Sequence, residues 1–175
     1  MKNFKLLISL CFVTLLITTP AFAIAQGQID FDDLSSHYGE PTVEINLSAG
    51  LMNLIGSFAE SEDPEVADIL SNLEFIKVRV YDLKGDLEKA SSTVDRVSGE
   101  LKDDDWQTLV TVNDNEENQK VRIMSKSSGK TIDGVVVMVV SPEKEGGEAV
   151  FINIVGEIDP AKIAKVAETL DIDID

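Results

Sequence analysis

The sequence predicts an α+β domain, a single largely antiparallel sheet of about five strands packed with helices in the order ααβαββββα. Three observations carry that prediction. Val135 to Val140 is an unbroken apolar run, as expected of a strand covered on both faces. Val150 to Ile158 alternates, with Val150, Ile152, Ile154 and Ile158 on one face and Phe151, Asn153, Val155 and Glu157 on the other. Between them, SPEKEGGE holds Pro142 and the adjacent Gly146 and Gly147, which favour a chain reversal, so the two runs read as an antiparallel hairpin. Ile152 and Ile154 are expected to lie between this hairpin and the packed helices.

The remaining elements follow in chain order. Lys2 and Lys5 precede an apolar block from Leu6 to Ile17, and Pro20 and the triplet Ala21-Phe22-Ala23 follow it. This layout predicts a cleavable secretory signal over residues 1–23, cut after Ala23 or Ala25. A membrane-spanning helix needs roughly 20 apolar residues, and Pro20 interrupts the run early. Leu10 stands before Cys11 where lipid attachment calls for a small residue, so acylation is not expected. Residues 24–41 are polar and acidic without sustained periodicity and predict an irregular arm, wrapped onto the domain through Phe31, Leu34 and Tyr38. Residues 42–175 then make one α+β domain.

Within that domain, Ser48 can cap a helix over 49–59 with Leu51, Leu54, Ile55 and Phe58 on its apolar face. Asp63-Pro64 opens a second helix, pairing a capping carboxylate with a proline whose missing N–H had no helical partner to lose. Its apolar side is Val66, Ile69, Leu70 and Leu73. Phe75 to Tyr81 switches to period two, with Ile76, Val78 and Val80 inward and Lys77, Arg79 and Tyr81 outward. Leu87, Ala90, Val94, Val97 and Leu101 step along one face of a third helix. Trp106 to Val112 and Gln119 to Lys126 read as strands, the second with Val121 and Ile123 inward. Asp159-Pro160 repeats the helix opening, and Ile163, Val166, Ala167 and Leu170 recur at helical spacing as a stripe that would pack on the hairpin.

The stretches SAGLMNL at 48–54, IKVRVYD at 76–82 and GEIDPAKI at 156–163, with the secretion signal, resemble a family of exported bacterial proteins known as a domain of unknown function. The resemblance runs from about Val43 to Leu170. It implies an exported α+β domain and brings no catalytic or ligand-binding residue with it. Several relatives look like lipoproteins, and this chain departs from them at Leu10.

Removing residues 1–23, which carry two lysines and no acid, takes the net charge from −17 to −19. Such a charge disfavours nucleic acid and anionic lipid, and no stable membrane span is expected after cleavage. The mature chain has no cysteine and one histidine, His37, so neither disulfides nor the usual His/Cys metal sites are expected, and no cofactor is predicted. His37 has Asp33, Ser35 and Ser36 as sequence neighbours, which does not make a triad. No G-x-S-x-G, phosphate loop or dinucleotide fingerprint is present. Asp114, Glu116 and Asn118 alternate but lack the glycine and distal glutamate of an EF-hand, as do Asp171, Asp173 and Asp175.

The candidate ligand-binding residues are basic. Lys77, Arg79, Lys120, Arg122 and Lys126 share the outward parity of two strands and would form one cationic face if those strands were neighbours. That face would take an acidic partner; the bland alternative is a solvated surface with cross-strand ion pairs. The function expected is an exported, non-enzymatic interaction or envelope-homeostasis module with a protein partner, in the periplasm or outside the cell. The alternatives are a small hydrolase working through two close carboxylates and an acidic calcium-buffering surface protein.

Overall fold

The computed structural model describes residues 26–142 and 145–160. Its elements are α1 (Asp32–Tyr38), β1 (Val43–Ser48), α2 (Ala49–Ala59), α3 (Pro64–Ser71), β2 (Leu73–Asp82), α4 (Leu87–Asp103), β3 (Gln107–Asp114), β4 (Gln119–Ser128), β5 (Thr131–Ser141) and β6 (Glu148–Ile158). The strands form one six-stranded sheet in the order β1-β2-β6-β5-β4-β3, antiparallel throughout. The fold is therefore α+β, as the sequence implies. The helix expected from Pro160 onward, with Ile163, Val166, Ala167 and Leu170, lies outside the described residues.

Two elements were not expected. Val43–Ser48 is the sixth strand, paired with β2 from Val43–Val80 to Ser48–Phe75. The arm contains the short helix α1, and its Phe31 and Leu34 are buried while the Tyr38 ring lies 5.1 Å from that of Tyr81 and 6.0 Å from that of Phe151. Capping follows the local chemistry in two of three places. The Asp63 carboxylate accepts from the Glu65 and Val66 N–H groups at the start of α3, and Asp86 accepts from Lys89 N–H at the start of α4. Ser48 precedes α2 without a side-chain cap bond.

The sheet has two unlike faces. On the face that α4 and the arm cover, Tyr81, Met124, Val136, Met138, Val140, Ala149 and Phe151 pack with Ala90, Val94 and Trp106 in the main core. This reverses the orientation expected for three strands. Tyr81, read as outward, is fully buried, and Phe151 and Asn153 face the arm and α4 in place of Ile152 and Ile154. The reason is chain direction. β2 and β3 run parallel to each other with three strands between them, so α4 joins them as a crossover, and such crossovers are right-handed in nearly all sheets. Handedness selects one face whatever the relative apolarity of the two.

The arm is held down by Asn153. Its Oδ1 accepts from Ile29 N–H at 2.9 Å, and its Nδ2 donates to Gly27 O at 3.0 Å and Val135 O at 3.2 Å. Gly27 crosses Gly134 so closely that a Cβ on Gly27 would sit 2.1 Å from Asp133 O. A side chain at either glycine would lift the arm off the sheet.

The α2–α3 hairpin packs on the other face at one end, where Met52, Leu73 and Ile158 form a second buried cluster with Leu70, Ile76, Ile132, Val135 and Ile154. Met52 and Gly56 are the buried residues of α2, and Gly56 lets α3 approach, since a Cβ there would stand 3.2 Å from Ala67 O. The stripe Leu51, Leu54, Ile55 and Phe58, expected inward, is exposed instead, Phe58 at 73%.

Candidate functional site

The five basic candidates do not form one surface. Lys77 and Arg79 lie on β2 and Lys120, Arg122 and Lys126 on β4, with β6 and β5 between the two strands. They do lie on the sheet face opposite Ile76, Val78, Val121 and Ile123, as the parity required, but this is the face that carries α4. Each group has local work. Arg79 pairs with Glu44, its cross-strand neighbour on β1, at 2.9 Å and donates to Asn46 Oδ1 at 3.1 Å. Lys77 Nζ stands 5.3 Å from the centroid of the Phe75 ring. On β4, Lys120 and Arg122 both reach Asp95 of α4, at 2.5 and 3.3 Å, and Arg122 also donates to Asn113 Oδ1 at 2.9 Å.

These ion pairs clamp the edge strand β1 and the helix α4 to the sheet. The condition for a shared cationic face, adjacent strands, is not met. Lys126 stands apart, on the wall of a cleft of about 260 Å³ between the arm and α4, beside Trp106 and Arg96. Asp30, Asp33, Glu100 and Asp104 line the same cleft, and Arg96 pairs with Glu100 at 2.7 Å, so its charge is mixed.

The other candidates can be placed equally well. The Ser36 hydroxyl donates to Asp33 O at 2.6 Å, which commits its proton to a carbonyl, so His37 Nδ1, 3.0 Å from Ser36 Oγ, does not meet it as a base would meet a nucleophile. Asp114 Oδ1 accepts from the Glu116 and Glu117 N–H groups, each at 2.9 Å, and so builds its own turn. Among the described residues, no group of three or more His, Cys, Asp or Glu is placed to hold a metal ion. Burial raises the Tyr38 phenol above its ordinary range, against the opposing hydrogen bond from Thr93 and the charge of Arg96.

The feature that periodicity did not single out is the second sheet face. Register aligns Ile45, Val78, Ile152, Val137, Ile123 and Val110 in one row across all six strands. The next row is Val43, Val80, Val150, Val139, Val121 and Val112, six valines side by side. Every position in both rows is β-branched and apolar. Those on the central strands are half-buried, and Val43, Ile45, Val110 and Val112 at the two edges are each at least 40% exposed. Five strand spacings make the platform about 24 Å wide, and two rows give it roughly 300–400 Å². That is as large as the greatest apolar patch on most soluble monomers, and such patches are often functional. The exposed stripe of α2 adjoins it, because α2 packs on β1 and β2. Each strand's alternation was legible by itself; that the rows align depends on strand order.

A family model described as a domain of unknown function (DUF4252) matches residues 37–166. The chain belongs to the DUF4252 family. The DUF4252 match takes in all six strands and both apolar rows, whereas Gly27 and Ile29, the arm partners of Asn153, precede it. Comparison with curated proteins finds no match.

Proposed function

We propose that this DUF4252 chain is an exported, non-enzymatic interaction module of the bacterial envelope, and that it recognises an amphipathic helix of a partner protein on the apolar sheet face beside α2. The observation that carries the reading is the pair of six-residue apolar rows. A β-branched floor with one helix, α2, as its wall is the setting in which a second helix can bury an apolar stripe. The acidic remainder of the surface keeps the module soluble and favours a partner helix with basic flanks. Export is supported by the charged start, apolar block and small-residue triplet of residues 1–23. Intact-mass measurement of the exported protein checks it, with a start at Ile24 or Gln26 expected.

The recognition surface is tested by site-specific photo-crosslinking in the native envelope. The cross-linker is placed at position 121 on the open face and, as a control, at position 92 on the exposed side of α4. A discrete protein adduct from position 121 alone, lost when Val139→Asp puts a charge beside it, is the expected result. Identical adducts from both positions, or adducts with lipid only, would overturn the reading; an adduct of twice the chain's mass would replace the partner with a second copy.

A further inference from the structure

We propose that the cleft between the arm and α4 binds a small zwitterion, a free amino acid or dipeptide with an apolar side chain, its carboxylate on Lys126 and its ammonium group among the acids of the rim. The cleft lies on the opposite side of the sheet from the recognition surface, so neither reading depends on the other.

Strand register places Lys126. The β3–β4 ladder ends at Gln107–Ser125, so Trp106 and Lys126 are the next positions out on the two strands. On its other side Lys126 pairs with Gly134 of β5, over which the arm crosses at Gly27. Lys126 thus reaches the cleft between Trp106 and the arm, half-buried, and it has no ion pair or hydrogen bond among the described residues. Arg79, Lys120 and Arg122, by contrast, each pair with a carboxylate, and Arg96, the other cation of the cleft, is taken by Glu100. An ammonium group half-withdrawn from water without a counter-charge favours an anion brought by a ligand.

Charge and size narrow the ligand further. Asp30, Asp33, Glu100 and Asp104 stand against Arg96 and Lys126, an excess of acid that repels any ligand of net negative charge. A carboxylate therefore enters best with a cation beside it, and an α-amino acid supplies both. Phe31, Leu34, Leu101 and Trp106, all buried, form the floor, which suits an apolar side chain. A volume of about 260 Å³ is at the small end of ligand pockets and excludes a longer peptide. The arm supplies one wall, from Gln26 to Leu34, so a bound ligand would hold it down together with Asn153, whose Oδ1 accepts from Ile29 N–H.

Trp106 is the only tryptophan of the chain, so its emission reports on this cleft directly. The purified mature protein is titrated with leucine and with leucyl-leucine. Leucinamide, which lacks the carboxylate, and N-acetyl-leucine, which lacks the ammonium group, are the controls. A saturable change in Trp106 emission is expected with at least one zwitterion below about 10 mM, with each control roughly tenfold weaker. Which zwitterion responds more strongly distinguishes a free amino acid from a dipeptide. Lys126→Met should bring the zwitterion down to the level of leucinamide, and hydrogen exchange at Ile29 should slow in the bound wild type. No response to either zwitterion, or equal affinity for either control, would overturn the proposal. Undiminished binding to Lys126→Met would overturn it too. Circular dichroism checks the fold of that variant, and the ligand panel on the wild type decides the matter if the variant folds poorly.

Discussion

Asn153 is the most consequential single polar residue in the described structure. It is fully buried, and its amide satisfies one N–H and one carbonyl of the arm as well as Val135 O. Asn153→Ala strands these groups or releases the arm, so a loss of about 2–4 kcal/mol is expected in denaturant unfolding, with faster hydrogen exchange at Ile29. Tyr81 presents the opposite case. Its hydroxyl is buried and has no hydrogen-bond partner among the described residues, while its ring packs against those of Tyr38 and Phe151. Tyr81→Phe keeps the ring and removes the orphan, so unchanged or raised stability, by about 1 kcal/mol, is the expected result. Tyr38 gives a pH signature. Burial favours its neutral phenol, so the folded state holds a proton that the unfolded chain releases near pH 10. Stability should therefore fall as pH rises from about 10 through the raised folded value, and Tyr38→Phe should flatten that limb of the stability profile.

At the scale of elements, the basic residues read as fasteners. Asp95 accepts from both Lys120 and Arg122, whose side chains are only 14% and 13% exposed although Asp95 itself is 54% exposed. Asp95→Ala should cost about 0.5–1.5 kcal/mol, less at high salt, and a double-mutant cycle with Arg122→Gln should show coupling within that range. No coupling would mean that α4 is held by Ala90, Val94 and its other apolar contacts alone. The sequence made the parity of these cations legible, because period two is a local property. It could not make the patch legible, because whether β2 and β4 are neighbours depends on β5 and β6 inserting between them. The same limit explains α2. Its stripe at positions 51, 54, 55 and 58 is a sound helical pattern, yet Gly56 draws the opposite side onto α3 and leaves the stripe exposed.

For the whole molecule, the decisive property is a sheet apolar on both sides. Neighbouring valines on β5 separate the two faces cleanly: Val136 is fully buried toward α4, whereas Val137 lies half-buried in the open row. Placing a hydroxyl at each distinguishes them. Val136→Thr should cost about 1–3 kcal/mol for burying a polar group, and Val137→Thr less than about 1 kcal/mol, read as shifts in denaturation midpoint. Equal costs would mean that the second face is sealed as tightly as the first.

The sequence by itself determined the α+β class, the central hairpin, α3 with its Asp63 cap, α4, and the side-chain parity of the strands, since each depends on residues within a few positions of one another. It left Val43–Ser48 unread as a strand, because a six-residue run leading straight into a helix has no turn to mark it. Only the tertiary structure decided which face of the sheet is the core. With apolar residues on both parities of β5 and β6, burial alone favours neither side, and the crossover through α4 breaks the tie by its handedness. The apolar rows likewise exist only once six strands, gathered from across the chain, are set in register.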